Sequence, residues 1–94
     1  MYNLLVDLPF NQEKYEDHLI RIFSKDVEIS ELKWHADNEN RKVTILESDG
    51  WLFQMDNELP IELKPGDVVN IPKGIYHRIK RGNSDLKIKI EFYE

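Results

Sequence analysis

Hydrophobic and polar residues alternate with a period of two along much of the chain, and this period restricts the fold more than any other feature. Because side chains two positions apart lie on the same face of a strand, each alternating segment is expected to be a β-strand with one face in a core. Seven short strands at this spacing predict an all-β domain. The segments are residues 29–35, 42–47, 51–56, 61–64, 67–71, 76–80 and 86–92.

Residues suited to turns separate these segments. Pro65 and Gly66 favour a type II turn, because proline fixes the first central φ and glycine supplies the positive φ of the second. Residues 18–24 predict a further strand, whereas the polar residues 11–18 predict one or two helical turns. The pattern therefore predicts an all-β fold with little helix, in which a closed barrel or sandwich leaves few strand edges exposed.

Length and composition indicate one small domain. The 94 residues are too few for two cores, and 40% hydrophobic with 33% charged residues is typical of a globular protein. The formal net charge of -5 repels phosphate backbones, so nucleic acid is not an expected partner. The chain has no signal-peptide pattern and no apolar run near the roughly 20 residues of a membrane span, so we expect a soluble cytoplasmic protein without a membrane partner.

Residues 66–78 contain a specific spacing motif: glycine, five residues, proline, one residue, glycine, two residues and histidine. Proline and glycine at Pro72 and Gly74 bend the chain, and His77 then enters the next strand. This segment resembles the second conserved motif of the cupin family. It departs from that motif at the final position, where Arg81 replaces the usual asparagine.

Residues 34–51 resemble the first cupin motif in spacing but differ in chemistry. That motif usually supplies His-x-His, then Glu, then Gly. Here His35 keeps the first histidine and Asp37 takes the place of the second. Arg41 stands where the glutamate belongs, and Ser48 replaces the glycine.

The resemblance spans roughly residues 29–94, the barrel part of the fold. It implies that residues 1–94 form a single cupin domain, a double-stranded β-helix or jelly-roll barrel. Residues 1–24 would then form a strand region at the barrel edge or in a homodimer interface.

The resemblance also implies a metal site. His35 and Asp37 are two positions apart and can share one face of a strand, and His77 would join them from the opposite sheet. Two imidazoles and a carboxylate suit Fe, Mn, Ni or Zn and leave positions open for water and substrate. The barrel would then bind a small molecule. If the protein is an enzyme, the resemblance implies a metal-dependent oxygenase or isomerase reaction.

Other functions fit the same residues. Arg41 adds a permanent positive charge that disfavours a divalent ion and favours a metal-free protein binding an anionic metabolite. A homodimer with a purely structural role is a third interpretation, because strand pairing would bury an edge of a thin core. Single histidines are more often structural than ligating, and Asp37 with Asn38 also suits a turn. The expected ligand-binding residues besides the metal ligands are Arg41, Trp51, Gln54 and Tyr76.

Overall fold

The structure is a computed structural model that describes residues 9–94. Strands dominate this part of the chain, together with one 3₁₀ turn, and the all-β prediction is confirmed. No helix among the described residues has the length and hydropathy needed to cross a membrane. The elements are β1 (Asn11–Lys14), β2 (Leu19–Phe23), the 3₁₀ turn (Ile29–Glu31), β3 (Asn40–Glu47), β4 (Leu52–Met55), β5 (Ile61–Glu62), β6 (Val68–Ile71), β7 (His77–Lys80) and β8 (Leu86–Tyr93).

The strands form two antiparallel sheets. The five-stranded sheet has the order β1-β2-β8-β3-β6, and the three-stranded sheet has the order β5-β4-β7. From β3 onward the chain passes to the second sheet for β4 and β5, returns for β6, crosses again for β7 and returns for β8. This repeated crossing pairs strands that are distant in sequence and gives the jelly-roll barrel expected from the sequence.

Alternate side chains of the two sheets point into a shared core. On β8, Leu86, Ile88 and Ile90 are buried, whereas the residues between them are partly exposed. The register places Ile88 between Arg21 of β2 and Ile45 of β3, so position 21 faces the interior as well. The buried hydrophobic cluster consists of Leu19, Phe23, Val43, Ile45, Trp51, Phe53, Leu63, Val69, Ile71, Leu86, Ile88 and Ile90.

The helix expected at residues 11–18 is wrong, because this region contains strand β1. All four β1 side chains are exposed, so no apolar face identifies the strand. Its backbone pairs with β2 from Asn11 opposite Ile22 to Lys14 opposite Leu19. Pairing with a neighbouring strand therefore overrides the local preference of a polar segment.

The strand expected at residues 29–35 is also wrong. The segment begins with the 3₁₀ turn, in which no residue is buried. Ile29 is exposed, and Leu32 packs against the core, so the alternation has no continuous apolar face. Only His35 pairs as in a sheet, through an isolated bridge to His77. The other seven predicted strands are confirmed, with ends shifted by at most two residues.

The β1–β2 hairpin lies at one edge of the five-stranded sheet. From the sequence, residues 1–24 are expected at the barrel edge or in a homodimer interface. The first eight positions of that region lie outside the described residues. A homodimer interface at this edge remains a prediction.

Candidate metal centre

Backbone pairing sets the positions of the two predicted histidine ligands. The amide of His35 donates to the carbonyl of His77 at 3.0 Å, and the amide of His77 donates to the carbonyl of His35 at 2.9 Å. His77 is the first residue of β7, whereas His35 lies in the connection between the 3₁₀ turn and β3. The backbone bridge between His35 and His77 thus joins the two segments that resemble the first and second cupin motifs.

A second set of contacts holds the connection that carries Asp37. Gly74 has φ +80°, a conformation that glycine adopts without steric cost, and its amide donates to the Asp37 carbonyl at 2.9 Å. The neighbouring Lys73 amide donates to the Asn40 side-chain oxygen at 2.9 Å. The turn of the second motif therefore fixes the backbone of the first, which is a structural reason for its proline–glycine spacing.

The side chains of His35, Asp37 and His77 converge, as the sequence predicts. One ligand atom of each lies within 4.8 Å of the others. His77 Nε2 is 3.4 Å from Asp37 Oδ2, and His35 Nε2 is 3.9 Å from Asp37 Oδ1. Both distances are within the span of about 4.2 Å that two ligands of one ion cover at metal–ligand distances near 2.1 Å.

The other nitrogen of each imidazole, Nδ1, is hydrogen-bonded to a backbone carbonyl. His77 Nδ1 is 2.9 Å from the Ile75 carbonyl oxygen, and His35 Nδ1 is 3.1 Å from the Lys33 carbonyl oxygen. A carbonyl only accepts, so each Nδ1 carries hydrogen and each neutral ring has an unprotonated Nε2. Two nitrogen lone pairs therefore face the Asp37 carboxylate, an arrangement that a cation would stabilise.

Asp37 Oδ2 is buried and has no hydrogen-bond partner among residues 9–94. Arg41 Nε lies 3.4 Å away, but its hydrogen bonds go to Glu39 Oε1, at 3.1 Å from Nε and 2.7 Å from Nη2. A buried carboxylate oxygen without a hydrogen bond is unfavourable unless a cation approaches it. Together with two imidazole nitrogens, this oxygen fits a divalent transition metal.

His77 is held in its neutral form. Burial lowers the pKa of His77 below the ordinary imidazole value of 6.5, and the charges of His35 and Arg41 lower it further. The hydrogen bond to Ile75 and the charge of Asp37 oppose this shift in pKa. Since only the neutral imidazole binds a metal, the environment favours the ligating form at neutral pH.

A cavity of about 390 Å³ adjoins the three converging side chains. Both sheets line it, and its apolar walls include Phe23 and Ile88 from the larger sheet and Ile79 from the smaller one. The polar part of the wall contains the three candidate ligands together with two arginines, Arg21 and Arg41. The cavity is large enough for a small organic molecule.

The structure brings Arg41 to this cavity but places Trp51 elsewhere. Trp51 is fully buried in the core, and its Nε1 donates to the Ser84 carbonyl at 2.6 Å. These contacts are sufficient to explain a tryptophan at this position as part of the packing. Its role in ligand binding remains a prediction.

Gln54 and Tyr76 also lie outside the cavity wall. The Gln54 amide donates to the Glu58 carbonyl at 2.9 Å and accepts from Arg78 Nε at 3.1 Å. The Arg78 guanidinium lies over the ring of Trp34, 4.6 Å from its centroid. Tyr76 is exposed. Ligand binding by Gln54 and Tyr76 remains a prediction.

Arg21 lines the cavity, although no motif or spacing in the sequence points to it. It shares the inward face of β2 with the buried residues Leu19 and Phe23. A charged residue at the centre of an otherwise hydrophobic strand is the signal that could have identified it. Without a partner or a function, a charge is rarely placed on such a face.

Neither a protein-family model nor a curated protein sequence matches this chain. Solved structures do match. An RmlC-like cupin with a double-stranded β-helix fold from Methanocaldococcus jannaschii is 17% identical with a TM-score of 0.63, and the match covers 97% of this chain and 86% of that one. The fold is that of the cupins. A cupin-2 domain protein from Shewanella frigidimarina is 19% identical with a TM-score of 0.62, covering 92% and 82% of the two chains.

Two larger proteins share the cupin fold over part of their length. The DMSP lyase DddQ from Ruegeria pomeroyi is 18% identical with a TM-score of 0.71, covering 82% of this chain and 37% of that one. The Fe(II) form of HppE is 14% identical with a TM-score of 0.64, covering 81% and 41%. At these identities the likeness shows the fold alone, and the cupin resemblance of the sequence is confirmed at that level.

Proposed function

We propose that this cupin barrel binds a divalent transition metal, Fe, Mn, Ni or Zn, through His35, Asp37 and His77, and a small molecule in the adjoining cavity. The observation that carries the proposal is the convergence of two unprotonated Nε2 atoms on the Asp37 carboxylate, whose buried Oδ2 has no hydrogen-bond partner among residues 9–94. Three protein ligands would leave coordination positions open, as in catalytic sites. When bound, the metal would supply a Lewis acid beside the cavity.

The solved structures support metal binding more strongly than they support any particular reaction. One protein with this fold, HppE, has been solved in its Fe(II) form, and another, DddQ, is a DMSP lyase. A fold that hosts different chemistries does not select a substrate. If the barrel is an enzyme, an oxygenase or isomerase reaction at the metal is the form we propose.

Arg41 supports a second function, the binding of an anionic metabolite without metal. Its guanidinium lies 3.4 Å from Asp37 Oδ2 and adds positive charge where an ion would bind. Glu39, however, accepts two hydrogen bonds from Arg41 and offsets much of that charge. The neutralised pair lowers the electrostatic penalty for a divalent ion, so the metal site is the better-supported function.

Elemental mass spectrometry of untagged protein tests this proposal directly. The protein is incubated anaerobically with Fe(II), Mn, Ni or Zn, and free metal is then removed. We expect about one metal ion per chain in the native protein and loss of that ion in His77→Ala. His18→Ala is the matched control, because the third histidine pairs with the exposed Asp17 away from the cavity.

Two results would overturn the metal proposal. One is native protein that retains none of the four metals, and the other is a His77→Ala protein that retains as much metal as the native protein. Circular dichroism of each variant separates loss of the site from loss of the fold.

A further inference from the structure

The guanidinium of Arg21 is half-buried at the cavity wall and has no carboxylate partner among residues 9–94. Its strand position is opposite Ile88 on the inward face, and it forms part of the cavity wall. Nε donates to Gln12 at 2.5 Å, and the guanidinium lies 4.1 Å from the Phe10 ring centroid. Within residues 9–94, no carboxylate is at ion-pair distance from Arg21, and its terminal nitrogens make no hydrogen bond. Among the described residues nothing occupies those nitrogens, so we consider them as a binding point for a ligand.

The cavity wall is more positive than the acidic protein around it. Lys33, Arg21 and Arg41 contribute three cationic side chains to the wall, against the two carboxylates of Glu31 and Asp37. Glu39, which is not part of the wall, pairs with Arg41 and offsets much of its charge, so Arg21 is the guanidinium left without an ion pair among residues 9–94. Burial, followed by the charge of Arg41, lowers the pKa of Arg21 to about 10, so it remains charged at neutral pH. An anion would relieve the repulsion between the two guanidinium groups, and a metal at the proposed site would attract it further.

The rest of the wall is hydrocarbon. Phe23, Val43, Ile79, Ile88 and Ile90 from the two sheets contribute apolar surface to the same cavity. A small inorganic anion would leave this surface in contact with water, whereas a ligand with a hydrocarbon body would bury it. The combination of a free guanidinium and an apolar wall thus fits an amphipathic ligand.

We infer that the cavity binds a small amphipathic carboxylate, whose anionic group pairs with Arg21 and whose hydrocarbon body lies against Phe23, Ile79 and Ile88. The planar guanidinium matches a carboxylate through two parallel hydrogen bonds. This inference rests on the proposed binding of a small molecule in the barrel. It requires no metal, so the two proposals fail independently.

Isothermal titration calorimetry with three eight-carbon probes tests the inference. Octanoate is the anionic probe, octanamide the neutral one and octylamine the cationic one, each titrated with and without EDTA. We expect octanoate to bind about tenfold more tightly than octanamide, because only the carboxylate adds an ion pair to its hydrogen bonds with the guanidinium, and octylamine to bind most weakly. The order of the three affinities should be the same in EDTA, because the inference requires no metal.

Variants of Arg21 test whether this side chain causes the preference for octanoate over octanamide. Arg21→Met should weaken octanoate binding about tenfold and octanamide binding much less, since the neutral amide loses a hydrogen bond but no ion pair. Arg21→Lys should weaken octanoate binding less, because it keeps the charge and loses the planar geometry. Arg81→Met is the matched control, as Arg81 is exposed, donates to the Val27 carbonyl and lies outside the cavity wall.

Equal affinity of the native protein for octanoate and octanamide would overturn the inference, whatever the metal content. A full octanoate preference in folded Arg21→Met would also overturn it, and loss of that preference in Arg41→Met alone would assign the anion to Arg41. If Arg21→Met does not fold, the Arg21→Lys result and the native probe series decide. Metal retention without a carboxylate preference would leave the metal proposal standing and reject this one.

Discussion

His35 and His77 are hydrogen-bonded to each other through both backbone amides, at 3.0 and 2.9 Å, and their rings meet edge to face with centroids 4.3 Å apart. The separation of the two candidate ligands is therefore set by the backbone. The rings also lie too close for both to carry a positive charge without repulsion. A site with this geometry is organised before any ion arrives, which favours binding.

We expect the metal-free protein to lose stability as the pH falls below about 6.5. His77 has a lowered pKa in the folded state and titrates near 6.5 when unfolded, so the unfolded chain takes up its proton first. The contribution of neutral His77 is complete above pH 6.5 and is lost as the pH falls through the folded pKa. Urea unfolding in chelator between pH 7.5 and 5 measures this, and His77→Gln should flatten the decline. Identical pH slopes in the two proteins would contradict the prediction.

Arg41→Gln should strengthen metal binding by roughly tenfold. Removing the cation 3.4 Å from Asp37 Oδ2 leaves the carboxylate charge to the metal, while the half-exposed Glu39 can turn to solvent. Competition with a fluorescent chelator measures the change in affinity. Arg78→Gln is the control, since Arg78 is outside the cavity wall. Weaker metal binding by Arg41→Gln would instead mean that Arg41 is needed to position Asp37.

Trp51→Phe should lower the free energy of unfolding by about 2–3 kcal/mol without changing metal affinity. The substitution removes the hydrogen bond to Ser84 and leaves space in the core around a side chain with 0% exposure. Urea unfolding gives the free energy, and chelator competition gives the metal affinity. Unchanged stability with weaker ligand binding would instead support the ligand-binding role predicted for Trp51.

Gly82→Ala should destabilise the fold by about 2 kcal/mol or more. A Cβ at this position would collide with the Asp49 carbonyl oxygen and the Trp51 amide, both backbone atoms that cannot turn aside. Gly66→Ala is the comparison, because its surroundings are open and only its φ of +93° is unfavourable, at about 1–2 kcal/mol. Thermal unfolding of both variants tests whether Gly82→Ala loses more stability than Gly66→Ala. A smaller loss at Gly82 than at Gly66 would refute this steric account.

The sequence predicts most strands from β2 onward because their alternation reflects burial on one face. Strand β1 lacks this signal, since its four side chains are exposed and only pairing with β2 makes it a strand. The segment at 29–35 shows the converse error: it alternates but buries no continuous face. Local patterns thus predict strands only where side-chain burial, rather than backbone pairing, decides the conformation.

The candidate site was partly predictable for a different reason. The motif spacing identifies His35, Asp37 and His77, and the structure brings them together. Arg21 stands out as a charge in a hydrophobic strand, but the sequence does not show which way it points, because Leu19 and Phe23 make one face of β2 apolar while Ile20 and Ile22 make the other equally so. The direction of Arg21 depends on the register between β2 and β8, which only the assembled sheet provides.

The contrasting surroundings of the two tryptophans give the protein two built-in optical probes. Trp51 is sealed in the core with 0% exposure, so its emission should be blue-shifted and should change when the fold is lost. Trp34 is 40% exposed and lies beside His35 in the chain, so its emission should be red-shifted and open to quenching by a paramagnetic ion at the site. A single fluorescence titration can therefore distinguish occupancy of the site from unfolding of the barrel, without any attached label.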